Sequence, residues 1–516
     1  MSSVSEITQR EWDYIVVGTG MGGATLGHAL AKAGRRVLFL EKGTSAAKGA
    51  LTRGVTPEET FSPLGPLTDN DRDALRRAGR YFQTYTEVTN GRGKPFFPFM
   101  GSGAGGSSAL YGAILERFQP LDFTPQAAHP KASGSTIPRE WPVSHAEMTP
   151  YYERAESVYS VQPARLGPAA KVLEGKLAGM GLHPYPLPTS TKMVDGCRNC
   201  QGMLCARECK IDSYQACLAP ALSAHGATLL EDCEVLEVGA DGHRVRDVRC
   251  RVDGRDVRIA AKTIVLAAGA METPRLLLNS TSVQWPKGLA NGSDIVGRNL
   301  MRHLVDLYVV NLDLSPKTWG KELGVGDFYN TPTGKFGAIH GMGPMPVFVT
   351  IAELQRNPAV RMLRFLTVPI IRAILQRFTS RFNLASFLED LPFAANRVHA
   401  GPETTFSYTI HPYDKARLDT FRHDLSARLK PLRVQLLKQG QINERLFHAC
   451  GTVRFGTSPS DSALDRNCRA HDLENLYVVD GSFFPTSGGT APSLTIAANA
   501  LRVADHLLGV PPPATP

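Results

Sequence analysis

The stretch from residue 13 to residue 43 constrains the fold of this chain more than any other. An apolar, β-branched run, Tyr14–Val17, precedes three glycines that open a helical pattern, and a second apolar run ends at Glu41. In the motif G-x-G-x-x-G, Gly18 permits a tight turn, Gly20 lets backbone approach a pyrophosphate, and Gly23 lets helix and strand pack closely. Glu41 follows Gly23 by 18 positions, where a carboxylate accepts hydrogen bonds from a ribose hydroxyl. Chance matches to the glycine spacing are common, but strand, helix, strand and acid together predict an α/β domain that binds an adenine dinucleotide.

Length, charge and hydropathy limit the number of domains and the classes of protein to which this chain could belong. The 516 residues suffice for two or three domains. The net charge of +9 comes from dispersed basic residues, which does not favour nucleic-acid binding. The first twelve residues are polar, and no run reaches the ~18 apolar residues of a membrane span. These features predict a cytoplasmic protein.

A second glycine-rich stretch runs from Gly101 to Gly112 and contains five glycines. Apolar residues flank it on both sides, which favours a packed loop whose backbone contacts a cofactor. The alternative is a flexible surface loop.

A cysteine cluster follows, with the spacing Cys197-x2-Cys200-x4-Cys205-x3-Cys209 and then Cys217. Four thiolates at such spacing could bind zinc or an iron–sulfur cluster. Reduced thiols and local disulfides are the alternatives, because zinc sites usually have two Cys-x2-Cys pairs separated by a longer loop.

The composition shifts between residues 303 and 440, which indicates a second domain. Val305–Leu314 and Thr404–Ile410 alternate as half-buried strands do. Regularly spaced arginines in Glu353–Phe382 predict a basic amphipathic helix. This helix is interpreted as a cap over the site, with contact to a membrane surface or a lipidic substrate as the alternative.

Two later stretches could complete the dinucleotide site. A buried strand leads to Gly269 and to a helix with Thr273 as its cap and Pro274 in its first position. A second strand ends at Asp480 and Gly481, before a helix begun by Pro492. The alternative is that this second strand and the helix after it are ordinary elements of the core without a role in binding.

The chain resembles the glucose–methanol–choline (GMC) oxidoreductase family of FAD flavoproteins over nearly its whole length. The motifs that carry the resemblance are Gly18, Gly20, Gly23 and Glu41, Gly105-Gly106-Ser107, Gly269-Ala-Met-Glu-Thr-Pro274, His448-x-x-Gly-Thr, Asn475-Leu-Tyr-Val-Val-Asp-Gly-Ser482 and Pro492-x-Leu-Thr-Ile496. The resemblance implies that FAD is held by Gly18, Gly20, Gly23, Glu41, Gly105, Gly106, Ser107, Val235, Gly269, Asp480 and Gly481.

The resemblance also implies a discontinuous organisation. A Rossmann-like, doubly wound FAD domain would consist of residues 1–60, 90–125, 215–302 and 441–516. A substrate or cap domain with an antiparallel sheet would consist of residues 61–89, 126–214 and 303–440, with the cysteine-rich loop at 197–217.

The implied chemistry is oxidation of a hydroxyl group on a small or moderately apolar alcohol. His448 matches the family's active-site histidine and would remove the hydroxyl proton while hydride passes to flavin N5. The family usually has a second polar residue, His or Asn, where this chain has Ala491. A water or a neighbour such as Thr490 could substitute, His448 could suffice, the chemistry could differ, or the alanine could be engineered.

Ala491 keeps two other functions open: a flavin enzyme of another type (lyase, desaturase or light-driven) and a non-catalytic flavin-binding protein. Oxygen, a quinone or a redox partner could accept the electrons, and some flavin dehydrogenases of the family pass electrons through an iron–sulfur cluster.

Overall fold

The computed structural model describes residues 4–45, 69–89, 92–192, 194, 197, 202–205, 207–313, 320–343 and 381–513. The α-helices are α1 Val4–Gln9, α2 Met21–Lys32, α3 Asp69–Arg77, α4 Pro125–Ala128, α5 His145–Val158, α6 Pro168–Gly179, α7 Ala219–Ala224, α8 Glu272–Asn279, α9 Pro412–Arg428 and α10 Ser493–Leu508. The strands are β1 Trp12–Val17, β2 Val37–Leu40, β3 Tyr85–Thr89, β4 Arg92–Phe96, β5 Gln162–Pro163, β6 Pro184–Pro186, β7 Pro188–Thr189, β8 Thr228–Leu230, β9 Cys233–Asp241, β10 Arg244–Val252, β11 Arg255–Leu266, β12 Leu304–Asp313, β13 Leu323–Val325, β14 Asn330–Thr331, β15 Gly334–Lys335, β16 Ile339–Gly341, β17 Arg381–Leu388, β18 Arg397–His399, β19 Thr404–Ser407, β20 Gln435–Leu437 and β21 Leu476–Val478.

Five parallel strands form a sheet in the order β8-β2-β1-β11-β21. Their residues are continuous apolar runs because the sheet is covered on both faces; Ile15, Leu38, Ile264 and Val478, for example, have no exposed surface. The first strand is central and the later strands lie on either side, as in a doubly wound sheet. This arrangement confirms the predicted α/β fold class.

The strand β11 belongs to two sheets at once. Its last residues pair with β1 and β21, and its first residues continue into an antiparallel meander with β10 and β9. Val235, at the start of this meander, is thereby brought to the edge of the parallel sheet.

A second large sheet is entirely antiparallel, in the order β20-β12-β17-β16-β13-β6. Side chains alternate between its faces, so Phe382 and Leu384 pack against the helices α6 and α9. Asn383 and Phe387 therefore point to the opposite face, where they line a cavity. This is the antiparallel sheet that the resemblance implies.

The structure corrects one detail and leaves others untested. The helix α8 begins at Glu272 after Met271, so Thr273 and Pro274 are not its cap and first residue. Residues 353–380 of the expected basic helix, and Cys200, lie outside the described residues. The division into two discontinuous domains stays a prediction. No helix within the described ranges is long and apolar enough to cross a lipid bilayer.

Candidate active site and cofactor cavity

A cavity extends from the carboxyl ends of the parallel strands to the inner face of the antiparallel sheet. Eleven of the residues singled out from the sequence line it: Gly18, Gly20, Glu41, Gly106, Ser107, Val235, Gly269, His448, Asp480, Gly481 and Ala491. Within the described structure, Gly23 and Gly105 lie behind its wall. Most of the predicted site residues are thus brought together, although they come from six separate stretches of the chain.

The glycines of the first motif have distinct surroundings. Gly18 has a φ of +96°, and a Cβ there would lie 2.4 Å from the carbonyl oxygen of Ala267. A Cβ on Gly23 would lie 2.2 Å from the carbonyl oxygen of Gly18. A Cβ on Gly20 would meet nothing within 4 Å, because Gly20 faces the cavity. Gly18 and Gly23 are therefore required for packing, and Gly20 leaves space for a ligand at the start of α2, where helical N–H groups favour an anion.

The Glu41 carboxylate connects three backbone segments. Thr19 donates to Oε2 from its amide and hydroxyl (3.1 and 2.6 Å), and the amides of Gly43 and Gly103 donate to Oε1 (3.0 Å each). Burial raises the pKa of Glu41 above its ordinary value, although these hydrogen bonds oppose the rise. Glu41 lies in the cavity wall, and its contact with a ribose stays a prediction.

The second glycine loop is packed against the first. Gly105 and Gly106 have positive φ values of +93° and +51°, and a Cβ on Gly106 would lie 2.9 Å from Cα of Gly20. The hydroxyl oxygen of Ser213 lies 3.1 Å from the carbonyl oxygens of both Thr19 and Gly105, so its one hydrogen is shared between them. The loop is therefore part of the cavity wall in this structure, and its contact with the cofactor stays a prediction.

Asp480 joins the last parallel strand to the turn that contains Gly269. Its Oδ2 accepts hydrogen bonds from the Gly269 amide (2.9 Å) and the Thr273 hydroxyl (2.5 Å), and its Oδ1 accepts from the Ser482 amide (2.8 Å). Thr273 lies in the first turn of α8, and its hydroxyl accepts a hydrogen bond from the Ala268 amide, 3.1 Å away, rather than from an amide of that helix.

His448 contacts a second histidine that the sequence analysis did not single out. Its Nδ1 lies 3.1 Å from Nδ1 of His303, and Nε2 of His303 lies 2.8 Å from the carbonyl oxygen of Gly488. A carbonyl only accepts, so neutral His303 donates from Nε2 and accepts at Nδ1. His448 therefore donates from Nδ1, which leaves the lone pair of its Nε2 available to a ligand in the cavity.

The position of His303 depends on Asp390. The backbone of His303 is left-handed, with a φ of +58°, which is uncommon for a residue other than glycine. Asp390 accepts hydrogen bonds from the amides of Arg302 and His303, at 2.9 and 3.0 Å. Backbone pairing between Met301 and Cys450 then holds the segments of His303 and His448 together.

Both imidazoles are neutral at neutral pH. Burial lowers the pKa of His303 below its ordinary value. Burial, followed by the proximity of His303 and His340, holds the pKa of His448 well below 6.5. His448 is therefore available as a proton acceptor.

A second polar cluster, formed by Glu116 and the side chains that donate to it, lies beside Ala491. Glu116 accepts hydrogen bonds at Oε2 from His340 (2.9 Å) and Thr490 (2.5 Å), and at Oε1 from Tyr185 (2.5 Å). His340 lines the cavity near His448, and the Phe387 ring contacts both imidazoles. No local motif marks Glu116, His340, His303 or Asp390; the only signal in the sequence is that His340 and His303 lie in or beside apolar strand-like runs.

Three cysteines of the predicted cluster, Cys197, Cys205 and Cys209, lie close together without a disulfide bond. Sγ of Cys209 lies 3.4 Å from that of Cys205 and 3.8 Å from that of Cys197. Burial and these two thiols raise the pKa of Cys209 to about 12. Among the described residues, no group of three or more potential ligands is arranged to hold a metal ion.

The chain is similar to known proteins over nearly its whole length. Two family models described as GMC oxidoreductase match residues 12–305 and 392–500. The 6'''-hydroxyparomomycin C oxidase of Streptomyces lividus is 29% identical, over 96% of this chain and 92% of that protein. The 2-methyl-1,2-propanediol dehydrogenase of Mycolicibacterium austroafricanum is 26% identical, over 96% and 95%. The crystal structure of pyridoxine 4-oxidase from Mesorbium loti shares the fold, with a TM-score of 0.63 at 20% identity over 96% of this chain and 99% of that one.

The cavity suits the cofactor of this family. It offers open space at Gly20, a helix N-terminus and a carboxylate at the end of β2, which fit a dinucleotide. The first family model alone covers more than half of the 516 residues. The chain therefore belongs to the GMC oxidoreductase family and is an FAD-dependent alcohol oxidase or dehydrogenase that acts on CH–OH groups.

Proposed function

We propose that this enzyme oxidises a hydroxyl group of a small or moderately apolar alcohol, with His448 as the base. The substrate end of the cavity supports this class because its wall is largely apolar. Val305, Leu307, Met342 and Phe387 line it. The polar side chains in the same described wall are His340, Asn383, Gln439, Arg445 and His448, which supply hydrogen-bonding groups for orienting a ligand.

The hydrogen-bond chain from Gly488 through His303 to His448 is the observation that carries the proposal. It fixes the tautomer of His448, so Nε2 is the basic nitrogen whenever His303 is neutral. The lowered pKa of His448 keeps this nitrogen unprotonated at neutral pH. A base must be both oriented and unprotonated before it can take a hydroxyl proton.

The reaction of the chain's own residues is a single proton transfer. The alcohol binds with its hydroxyl toward His448, and Nε2 takes the hydroxyl proton. The resulting imidazolium keeps its Nδ1–H bond to His303, whose Nε2–H remains on the Gly488 carbonyl. When bound, FAD supplies the acceptor, at flavin N5, for the hydride that leaves the substrate carbon.

The proposed cofactor contacts follow the predicted set. Gly18, Gly20 and Gly23 shape the turn for the pyrophosphate, and Glu41 accepts from the adenosine ribose. The remaining proposed contacts are Gly105, Gly106, Ser107, Val235, Gly269, Asp480 and Gly481.

An anaerobic titration tests the function. Flavin-loaded protein is mixed with primary aliphatic, benzylic and sugar alcohols while the visible flavin absorbance is followed. We expect at least one class to bleach the flavin, and His448→Ala to slow that bleaching by about 10²- to 10⁴-fold. Reoxidation of the bleached enzyme by oxygen, a quinone or a dye identifies the acceptor.

His399→Ala is the matched control, because His399 lies on β18 and bonds to Ser407, outside the cavity wall. Flavin that no alcohol reduces would contradict the proposed function. Equal bleaching by the His448 variant would contradict the assigned base.

A further inference from the structure

The peptide group between Gly488 and Gly489 contacts His303. Its carbonyl, on Gly488, accepts the hydrogen bond from Nε2 of His303 at 2.8 Å. The direction of this carbonyl therefore determines which nitrogen of His303 carries the hydrogen. Because Nδ1 of His303 lies 3.1 Å from Nδ1 of His448, the same direction determines which nitrogen of His448 is the base.

The reversed orientation of this peptide group would disable the base. The C=O and N–H of a trans peptide group point in opposite directions, so a reversed group would present the Gly489 N–H to His303. Nε2 of His303 would then accept, and its Nδ1 would donate to Nδ1 of His448. The hydrogen of His448 would move to Nε2, which would lose the lone pair that takes the alcohol proton.

The two glycines by themselves do little to hold one orientation. Neither has a side chain, so their backbones reach more conformations than those of other residues, and Gly488 has a φ of +69°. Aromatic rings occupy the places of the missing side chains. A Cβ on Gly488 would lie 2.4 Å from the Phe118 ring, and one on Gly489 would lie 2.4 Å from the Tyr329 ring. The Tyr329 ring therefore approaches the peptide group closely.

The hydroxyl of Tyr329 binds the other end of the peptide group. Its oxygen accepts from the Gly489 amide at 3.0 Å, and its hydrogen is donated to Oδ2 of Asp122 at 2.7 Å. Burial, followed by the Asp122 charge, holds the pKa of Tyr329 well above 10, so the hydroxyl keeps its hydrogen. A hydroxyl has one hydrogen, so Tyr329 can only accept from the peptide group. The reversed orientation would place a carbonyl oxygen against this acceptor.

Asp122 gives the hydrogen bonds their direction because it is a carboxylate. The Lys335 ammonium lies 2.5 Å from its Oδ1, and the Gln119 amide donates to its Oδ2 at 2.6 Å. Burial opposes the charge of Lys335, but Asp122 and Glu389 raise the pKa of Lys335 above its ordinary value. A carboxylate paired with an ammonium has no hydrogen to give, so Tyr329 must be the donor to Asp122.

We propose that Tyr329 and Asp122 are positioning residues that hold this peptide group in one orientation and thereby keep Nε2 of His448 free of hydrogen. The inference rests on the proposed role of His448 in alcohol oxidation. Neither Tyr329 nor Asp122 lines the described cavity wall, so each acts through the peptide group and His303.

The tautomer of His448 can be measured directly. Tyr329→Phe removes one oxygen atom and keeps the ring. The control is Tyr159→Phe, which removes another buried hydroxyl, 2.7 Å from that of Thr25 and outside the cavity wall. In protein labelled with ¹⁵N-histidine, the Nε2 signal of His448, assigned by its loss in His448→Ala, distinguishes a lone pair from N–H. We expect a lone pair in the wild type and the control, and a shift toward N–H in Tyr329→Phe.

The kinetic test uses Tyr329→Phe, Asp122→Asn and the double variant. Each is loaded with FAD and titrated anaerobically with the alcohol that reduces the wild type fastest. We expect Tyr329→Phe to keep its flavin and its affinity for the alcohol, and to lower the limiting reduction rate about 10- to 100-fold. A similar loss is expected for Asp122→Asn, because Lys335 attracts the amide oxygen and leaves the NH₂ group facing Tyr329.

The double variant should be no slower than the slower single variant, because both residues act through one peptide group. Independent packing defects would instead give losses that multiply. Multiplied losses, an unchanged ¹⁵N signal in Tyr329→Phe, or a limiting rate within threefold of the wild type would each overturn the inference.

If Tyr329→Phe does not fold or retain FAD, Asp122→Asn takes its place, and an unchanged ¹⁵N signal there overturns the inference. If no alcohol reduces the wild-type flavin, the proposed function fails, and the ¹⁵N signal still decides whether Tyr329 and Asp122 set the tautomer of His448.

Discussion

The two ends of the cavity are built by different means. At the cofactor end, backbone and closely packed glycines shape the wall, and Gly18, Gly20 and Glu41 lie within one short stretch of sequence. At the substrate end, His448, His303 and His340 are set by side-chain hydrogen bonds between segments far apart in the chain. An altered residue at the first end should therefore change folding or FAD binding, whereas one at the second should change the rate of a fully loaded enzyme.

The largest effect is expected for Gly18→Ala at the cofactor end. The new Cβ would lie 2.4 Å from the Ala267 carbonyl oxygen at a φ of +96°, so we expect a loss of about 3 kcal/mol or more in the free energy of unfolding. Thermal or denaturant unfolding of the apoprotein measures it.

Gly20→Ala is the matched variant, because its Cβ meets no protein atom within 4 Å. We expect the apoprotein to keep its stability and the affinity for FAD to fall about tenfold or more, as the methyl occupies ligand space. Equal destabilisation of the apoprotein by both variants would show that Gly20 is also a packing residue.

A smaller effect is expected for the positioning residue His303. Asparagine tolerates the left-handed backbone at this position but is too short to accept from His448. His303→Asn leaves the Nδ1–H of His448 unpaired, so we expect flavin reduction to slow about 10- to 100-fold. Reduction kinetics and flavin content are measured together, with His399→Asn as the control. If His303→Asn lost flavin but kept the wild-type reduction rate per bound flavin, the substrate end would also determine FAD binding, and the distinction between the two ends would fail.

The smallest effect is expected on the rate of flavin reduction when the pH is lowered from 8 to 6. An imidazole with an ordinary pKa of 6.5 is only about one quarter neutral at pH 6. The pKa of His448 lies well below that value, so the neutral base persists and reduction at pH 6 should stay within about twofold of that at pH 8. The pH dependence of the reduction rate measures it, and a midpoint near pH 7 or above would contradict the lowered pKa.

Sequence alone predicts the cofactor end well because its chemistry depends on local geometry. A strand, a glycine turn and a helix follow one another directly in the sequence, so the spacing of their residues is enough to predict the bound dinucleotide. The structure confirms the α/β class and brings Gly18, Glu41 and Asp480 to one cavity. Thr273 is the exception: it was expected to cap a helix and instead donates to Asp480, 207 positions away.

The substrate end is harder to predict because the register between strands determines which side chains face the cavity. In β17 the residues on both faces are buried, so no polar alternation shows that Asn383 and Phe387 face the cavity. His340 reaches the same face only through its pairing opposite Ala385. Glu116 and His340 lie 224 positions apart in the chain, and no short motif predicts their contact.

The pairing of β21 with β11 also bears on the timing of biogenesis. The two strands that β11 separates, β1 and β21, lie about 460 residues apart in the chain. At about 5–20 residues per second, a ribosome needs roughly 20–90 s to make the intervening chain. β11 is complete at Leu266, so its edge lacks the partner strand β21 for about 210 residues, or roughly 10–40 s of synthesis. α2 is made about 460 residues before α10, the helix that packs against it. The cavity for FAD is therefore completed only after β21 and α10 have been synthesised, and loading with the flavin follows the synthesis of both.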